Sequence, residues 1–176
     1  MIDTNELVER NAVVAGGGRF AGLGLMPSAG LTVIGCVDPR VDPSAVLGLG
    51  LGEAAVIRNV GGRVTPATLR MLGMLAEVVR ARTGGSGPGI GHYVVLHHTD
   101  CGITDLAAFP DLLAEYFEVP AADLHAKAVT DPAAAVRVDT EILRRQLRPG
   151  VSVSGLVYDV ATGLVDVVVP AAGADS

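Results

Sequence analysis

The stretch that decides the fold is Leu31-Thr-Val-Ile-Gly-Cys36-Val-Asp38-Pro-Arg40. Its first six residues, LTVIGC, are a short apolar run with β-branched members, which predicts a strand buried on both faces. Three reactive side chains, Cys36, Asp38 and Arg40, gather where that strand must end. Further strands are predicted over Ala54–Arg58 (AAVIR) and Tyr93–His97 (YVVLH). Thr65-Pro66 supplies an N-cap and a proline at the first helical position, opening a helix that runs to about Arg82 and ends in basic residues. A helical stretch follows from about Ile103 to Phe117, interrupted near Pro110, and Asp131-Pro132 opens another that ends near Leu147. Val151–Val160 and Leu164–Val169 read as strands joined by Ala161-Thr162-Gly163, a link short enough for an antiparallel hairpin. Strands alternating with helices predict an α/β fold: a doubly wound, mainly parallel sheet with an antiparallel edge strand and helices on both faces.

The chain has 176 residues, of which 49% are hydrophobic and 18% charged, enough for one domain spanning residues 1–176 with a real core. No internal repeat or composition break divides it. The net charge of −6 gives the long-range field the wrong sign for nucleic acid or an anionic membrane. Without Trp, and with three Phe and three Tyr, the chain has few platforms on which bases could stack. Met1–Arg10 carries Asp3, Glu6 and Glu9 and no apolar segment, unlike a secretory signal. Phe20–Val37 is uncharged but broken by Pro27, Ser28 and glycines, so it reads as a loop and a strand rather than a membrane span. The expected compartment is the cytoplasm, where thiols stay reduced. The two cysteines, Cys36 and Cys101, are too few for a disulfide framework. Residues 2–12 are expected to form a short helix opened by Asp3 or Thr4, Pro43–Leu47 one helical turn, and the glycine-rich Thr83–Gly91 a flexible loop.

A dinucleotide-binding pattern needs weighing. Ala12–Ala15 resembles a short strand, Gly16, Gly18 and Ala21 satisfy a loose G-x-G-x-x-A, and Asp38 lies about 20 residues on. A pyrophosphate must sit on a helix N-terminus, however. Gly22, Gly24 and Pro27 occupy the place where that helix would run, so a glycine-rich turn is the better reading.

The informative pair of motifs is Cys36-Val-Asp38-Pro-Arg40 and His98-Thr-Asp-Cys101-Gly102. If the strand order begins 2-1-3, the ends of the first and third strands are neighbours at the switch point, where open α/β sheets place their sites. Cys36, His98 and Cys101 can then converge on one ion. Two thiolates and one imidazole suit zinc, and three protein ligands leave a fourth position open, as in catalytic rather than structural sites. On spacing alone, two buried cysteines acting as small hydrophobes beside an incidental histidine explain the pattern equally well. Adjacent strand residues point to opposite faces, so only one of His97 and His98 can ligate. His92, His97 and His125 read as packing or surface residues.

With these motifs in order, the chain resembles a β-class carbonic anhydrase of the short kind. The family's C-x-D-x-R appears as Cys36, Asp38 and Arg40, and its H-x-x-C-G as His98, Cys101 and Gly102, which selects His98 over His97. Gly52–Gly61 resembles the segment between those motifs, and Tyr158-Asp159 with Thr162-Gly163 resembles a late hairpin. The likeness covers roughly residues 5 to 170. It implies one Zn2+ per chain on Cys36, His98 and Cys101, and hydration of carbon dioxide to bicarbonate and a proton by attack of zinc-bound hydroxide. Asp38 would orient the hydroxide and Arg40 would hold Asp38 in a charge-assisted pair. Similar proteins imply a second state, with Asp38 on the metal; Pro39, where many relatives carry a small residue, restricts Asp38 to extended backbone. Arg58 is expected to support the site by hydrogen bonds. Gln146, the only glutamine, lies on a late helix, so the pocket glutamine of larger relatives has no counterpart. With aromatics scarce, the pocket wall is expected to be aliphatic.

Relatives with a similar zinc site hydrolyse carbonyl sulfide or carbon disulfide, which is the alternative activity. A non-catalytic zinc-binding protein is a third reading, disfavoured by the intact Asp38 and Arg40. The family also implies a homodimer or homotetramer, with residues 1–30, an N-terminal helix and arm, packing on a partner subunit. The expected partners are therefore a small-molecule substrate and further copies of the chain, with no nucleic acid and no membrane.

Overall fold

The computed structural model describes residues 1–84 and 91–173, so the centre of the Thr83–Gly91 loop lies outside the described residues. Five strands form one sheet: β1 (Leu31–Cys36), β2 (Ala54–Asn59), β3 (His92–His98), β4 (Ser152–Tyr158) and β5 (Val165–Gly173). Their order is β2-β1-β3-β4-β5, all parallel except β5, which runs antiparallel to β4. The predicted 2-1-3 start is therefore present. Chain order reverses between β1 and β3, so their carboxyl ends lie side by side with Gly35 level with Leu96.

The α-helices among the described residues are α1 (Thr4–Gly16), α2 (Pro43–Val46), α3 (Pro66–Thr83), α4 (Pro110–Phe117) and α5 (Pro132–Gln146). Alternation along the strands sends Ile34 and Val95 to one face, where Leu72 of α3 with Val136 and Leu143 of α5 cover them. Val33, Val94 and Leu96 face the other way, against Val46, Leu47 and Leu49 in and after α2. A third cluster, with Leu113 and Phe117 of α4, closes the carboxyl ends of the strands and contains both cysteines.

Several boundaries differ from expectation for identifiable reasons. The 103–117 stretch is two elements, a 3-10 segment over Gly102–Ala108 and α4. Phe109 precedes a proline and takes φ −126, ψ 67, outside the helical region. A further 3-10 segment, Ala121–Lys127, was not foreseen. Ala12–Ala15, which the dinucleotide pattern needed as a strand, is the last turn of α1, and no helix follows the glycines before β1. Asp3 caps α1, accepting from the Glu6 amide at 2.9 Å. None of that helix's residues is buried.

Beneath the sheet end lies a buried charge network. Asp139 of α5 accepts from Arg63 Nε at 2.7 Å and from the Val64 amide at 3.1 Å, and lies 3.3 Å from His97 Nε2. The Arg63 guanidinium also sits 4.9 Å over the Phe117 ring and donates to the Lys127 carbonyl. Burial pushes the Asp139 carboxyl up, but the His97 hydrogen bond and the Arg63 charge outweigh it and hold it below its ordinary value. Removing one member of such a pair leaves the other buried and uncompensated. Asp139→Asn is therefore expected to lower the unfolding free energy by about 3–5 kcal/mol at neutral pH. Because the folded carboxyl is depressed, its contribution is present above about pH 4 and disappears as pH falls through the lower folded value. Urea melts of both proteins at neutral and strongly acidic pH should show the gap between them narrowing in acid.

Candidate metal centre

Cys36 ends β1 and His98 ends β3, so the pairing of these strands sets the first two groups of the site. Thr99 and Asp100 then turn the chain back, and Cys101 caps the 3-10 segment that starts at Gly102. The two sulfurs lie 3.8 Å apart, and both cysteines are free. One ligand atom from each of Cys36, His98 and Cys101 falls within 4.8 Å of the others, and all three residues are buried.

The imidazole is oriented for coordination. His98 Nδ1 lies 2.9 Å from the Thr99 carbonyl, which can only accept, so the proton belongs on Nδ1. Nε2 then presents a lone pair, and it is a buried atom with no hydrogen-bond partner. A polar atom in that position is costly unless a ligand satisfies it. The thiols carry a related tension. A hydrogen bond from Cys101 holds the Cys36 thiol well below its ordinary value, against burial, with help from His98 and from the Asp38 amide 3.4 Å away. The same bond, together with burial, pushes Cys101 up. A divalent cation would allow both sulfurs to be thiolates. A donor set of two sulfurs and one nitrogen, with the imidazole tautomer already fixed, fits zinc.

Asp38 rests on Arg40 and lies outside the three-residue cluster. Arg40 Nε donates to Asp38 Oδ1 at 3.0 Å and Nη2 to Oδ2 at 2.7 Å, and the Arg40 amide adds a bond to Oδ1 at 2.9 Å. These bonds hold the Asp38 carboxyl down to about 2. Arg58 supports the loop as expected: Nε donates to the Cys36 carbonyl at 2.8 Å, Nη2 to the Asp38 carbonyl at 2.7 Å, and Nη1 to Asp42. The Val60–Gly62 turn packs against the strand ends. A Cβ at Gly62 (φ +65) would stand 3.0 Å from backbone atoms of Gly35, Cys36 and Leu96, so only glycine fits.

The other histidines are elsewhere. His97 points to Asp139 and the Gly62 carbonyl, His92 pairs with Ser154 at 2.8 Å, and His125 bonds the Ala122 carbonyl in its own turn. Gln146 is the last residue of α5. Sequence reasoning did not single out Thr99, which orients His98, or Asp100, which binds Arg40. Both stand inside His98-x-x-Cys101, but nothing in the spacing says which atoms they reach. A small, half-open cleft lies against His98 and Cys101. Among the described residues no Phe, Tyr or Trp lines it, but its wall is mixed: Ile103, Val129 and Ala135 stand beside Arg63, Asp100 and Thr104.

Residues 31–118, half of the chain and the part that carries every group of this site, match the family model described as carbonic anhydrase. The chain is 30% identical to β-carbonic anhydrase 1 of Mycobacterium tuberculosis over 97% of its own length and 100% of that protein's. The chain belongs to the β-carbonic anhydrase family. A solved carbonic anhydrase from Streptococcus mutans superposes with a TM-score of 0.69 at 30% identity, covering 96% of this chain and 99% of that one. A carbon disulfide hydrolase of Saccharolobus solfataricus is also similar, 30% identical over 49% of this chain and 37% of that protein. Membership of the β-carbonic anhydrase family accounts for the paired motifs in one chain order and for the sheet that brings them together. Among the described residues, no helix is long and apolar enough to cross a membrane.

The Asp38–Arg40 geometry has a direct spectroscopic consequence. In carbon-detected NMR the Asp38 carboxyl should titrate at about 2. Arg40→Ala should return it toward about 4. An Asp38 carboxyl that titrates identically in both proteins would contradict the bonding described.

Proposed function

We propose that the protein binds one zinc ion per chain through Cys36 Sγ, His98 Nε2 and Cys101 Sγ and catalyses the reversible hydration of carbon dioxide to bicarbonate and a proton. The observation that carries this reading is the convergence of two thiols and an imidazole nitrogen without a hydrogen-bond partner at the end of the sheet. Zinc held by these residues would supply Lewis acidity, enough to bring the pKa of a water to about 7. Asp38, ionised throughout the neutral range, accepts a hydrogen bond from the attacking water and orients it. Arg40 keeps the Asp38 carboxylate in place through two parallel bonds, and Arg58 fixes the backbone carbonyls on either side of Val37. Ile103 and Val129 give a linear, apolar substrate a surface to rest on beside His98 and Cys101.

Metal analysis of purified protein should find one zinc per chain. Cys36→Ser should lose the metal. Asp38→Ala should keep it while hydration slows by roughly 10²-fold or more. Protein without zinc, or Asp38→Ala at full rate, would refute the assignment. The similarity to a carbon disulfide hydrolase supports a second reading on the same residues, hydrolysis of carbon disulfide or carbonyl sulfide. Side-by-side turnover separates the two; carbon dioxide is expected to be the faster substrate.

We also propose that residues 1–176 act as one catalytic domain that self-associates, with residues 1–30 lying on a second copy. In support, α1 buries nothing in its own subunit, and Leu7, Val8, Val13, Val14, Phe20 and Leu25 are exposed. Sedimentation should give a dimer or tetramer, and removal of residues 1–20 should weaken it; a monomeric full chain would contradict the proposal. The cytoplasm, where Cys36 and Cys101 remain reduced, is the compartment that suits this site.

A further inference from the structure

Arg40 is gripped from two sides. One edge of the guanidinium meets Asp38; on the other, Nη1 donates to Asp100 Oδ2 at 2.7 Å and Nη2 donates to the Asp100 carbonyl at 2.9 Å. Asp100 stands between His98 and Cys101, so Arg40 joins the loop after β1 to the loop after β3.

The Asp100 backbone has φ 53, in the left-handed region that disfavours side chains and that Asp tolerates better than most. Glycine would adopt this turn without strain. Asp100 instead turns both its carboxylate and its carbonyl onto the same guanidinium. A strained residue with such a contact at the rim of a site points to a role for its side chain. Arg40 is half exposed, and an exposed ion pair with Asp38 alone would compete with water. Asp100 is itself largely exposed, but three acceptor groups around one rigid fork favour a single plane of the guanidinium, and with it one placement of the Asp38 carboxylate.

We propose that Asp100 is a positioning residue for the hydration reaction, acting through Arg40 on Asp38; this rests on the role assigned to Asp38 above. Asp100→Asn keeps a residue tolerant of the left-handed turn and removes the charge. Asp100→Gly relieves the turn and removes the side chain. If the residue served only the backbone, the glycine variant would be fully active. On the proposal, both variants lose about tenfold in kcat for carbon dioxide hydration while zinc content stays at that of the parent. The Arg40 Nε–H, read by NMR, should exchange with water about tenfold faster in both variants. In an Arg40→Ala background, Asp100→Asn should cost nothing further. Asp100→Gly within twofold of the parent, an unchanged Arg40 exchange rate, or a full extra loss on top of Arg40→Ala would overturn the proposal. If Asp38→Ala were fully active, the underlying reading would fall instead, and the Arg40 exchange rate would still report whether Asp100 holds the guanidinium.

Discussion

The parallel ladder between β1 and β3 is the constraint on which the site depends. Its register sets Leu31 against His92 and Gly35 against Leu96, so the two strands finish nearly together and Cys36 comes out beside His98. A slip of one residue would exchange the faces of His97 and His98. It would send the wrong imidazole to the sulfurs and the metal-competent one toward Asp139. The register is strongly specified because β1 and β3 are covered on both faces. The same slip would also move Ile34 and Val95 out of one core layer and Val33, Val94 and Leu96 out of the other. The same packing lets the glycine turn at Gly61-Gly62 close over the strand ends, where side chains larger than hydrogen have no room.

Two arginine–aspartate pairs flank this ladder and differ in environment. Arg63 and Asp139 are each only 1% exposed, and every bond they make ties scaffold to scaffold: α5, the turn after β2, and the 3-10 segment ending at Lys127. In that low-dielectric setting the pair is costly to break and leaves little freedom to move. Arg40 and Asp38 lie at the rim, partly in water, where the pair itself contributes little to stability. What the rim pair can do is orient a carboxylate, and the backbone bond from the Arg40 amide adds to that orientation. The buried pair belongs to the rigidity of the β3 end; the rim pair is the one we propose for the chemistry.

How much of this was readable beforehand depended on whether the signal was local. The apolar runs at Leu31–Cys36 and Tyr93–His97 located the central strands, and Thr65-Pro66 and Asp131-Pro132 located two helix starts to the residue. Period-two alternation separated His97 from His98, given a motif to choose between them. The break at Phe109 was half visible, because Pro110 marked the place but not the change from 3-10 to α geometry. Asp139 could not be found in this way. It sits 76 residues from Arg63 and 42 from His97, in a helical sequence where an aspartate ordinarily reads as a solvated position, and only tertiary packing makes it the centre of a buried network. Asp100 was hidden for a different reason. It lies inside the most informative motif of the chain, but its partner, Arg40, is 60 residues earlier, and the left-handed turn that aims it is a property of backbone geometry.

The position of Asp38 follows from the same local geometry. Residue 38 is followed by proline, which keeps its backbone extended, and Arg58 holds its carbonyl, so little of the loop is free to carry the carboxylate elsewhere. With Arg40 and its amide binding both carboxylate oxygens, moving Asp38 to the cysteine–histidine cluster would break bonds that hold its proton affinity far below that of an ordinary carboxyl. The donor set of the cluster is thereby limited to two sulfurs and one nitrogen in this arrangement, an incomplete tetrahedron. For a structural metal that would be a defect, since closed sites use four protein ligands. For a site that admits a water and a small apolar molecule, as we propose here, it is a requirement, and the bonds that hold Asp38 on Arg40 are consistent with it.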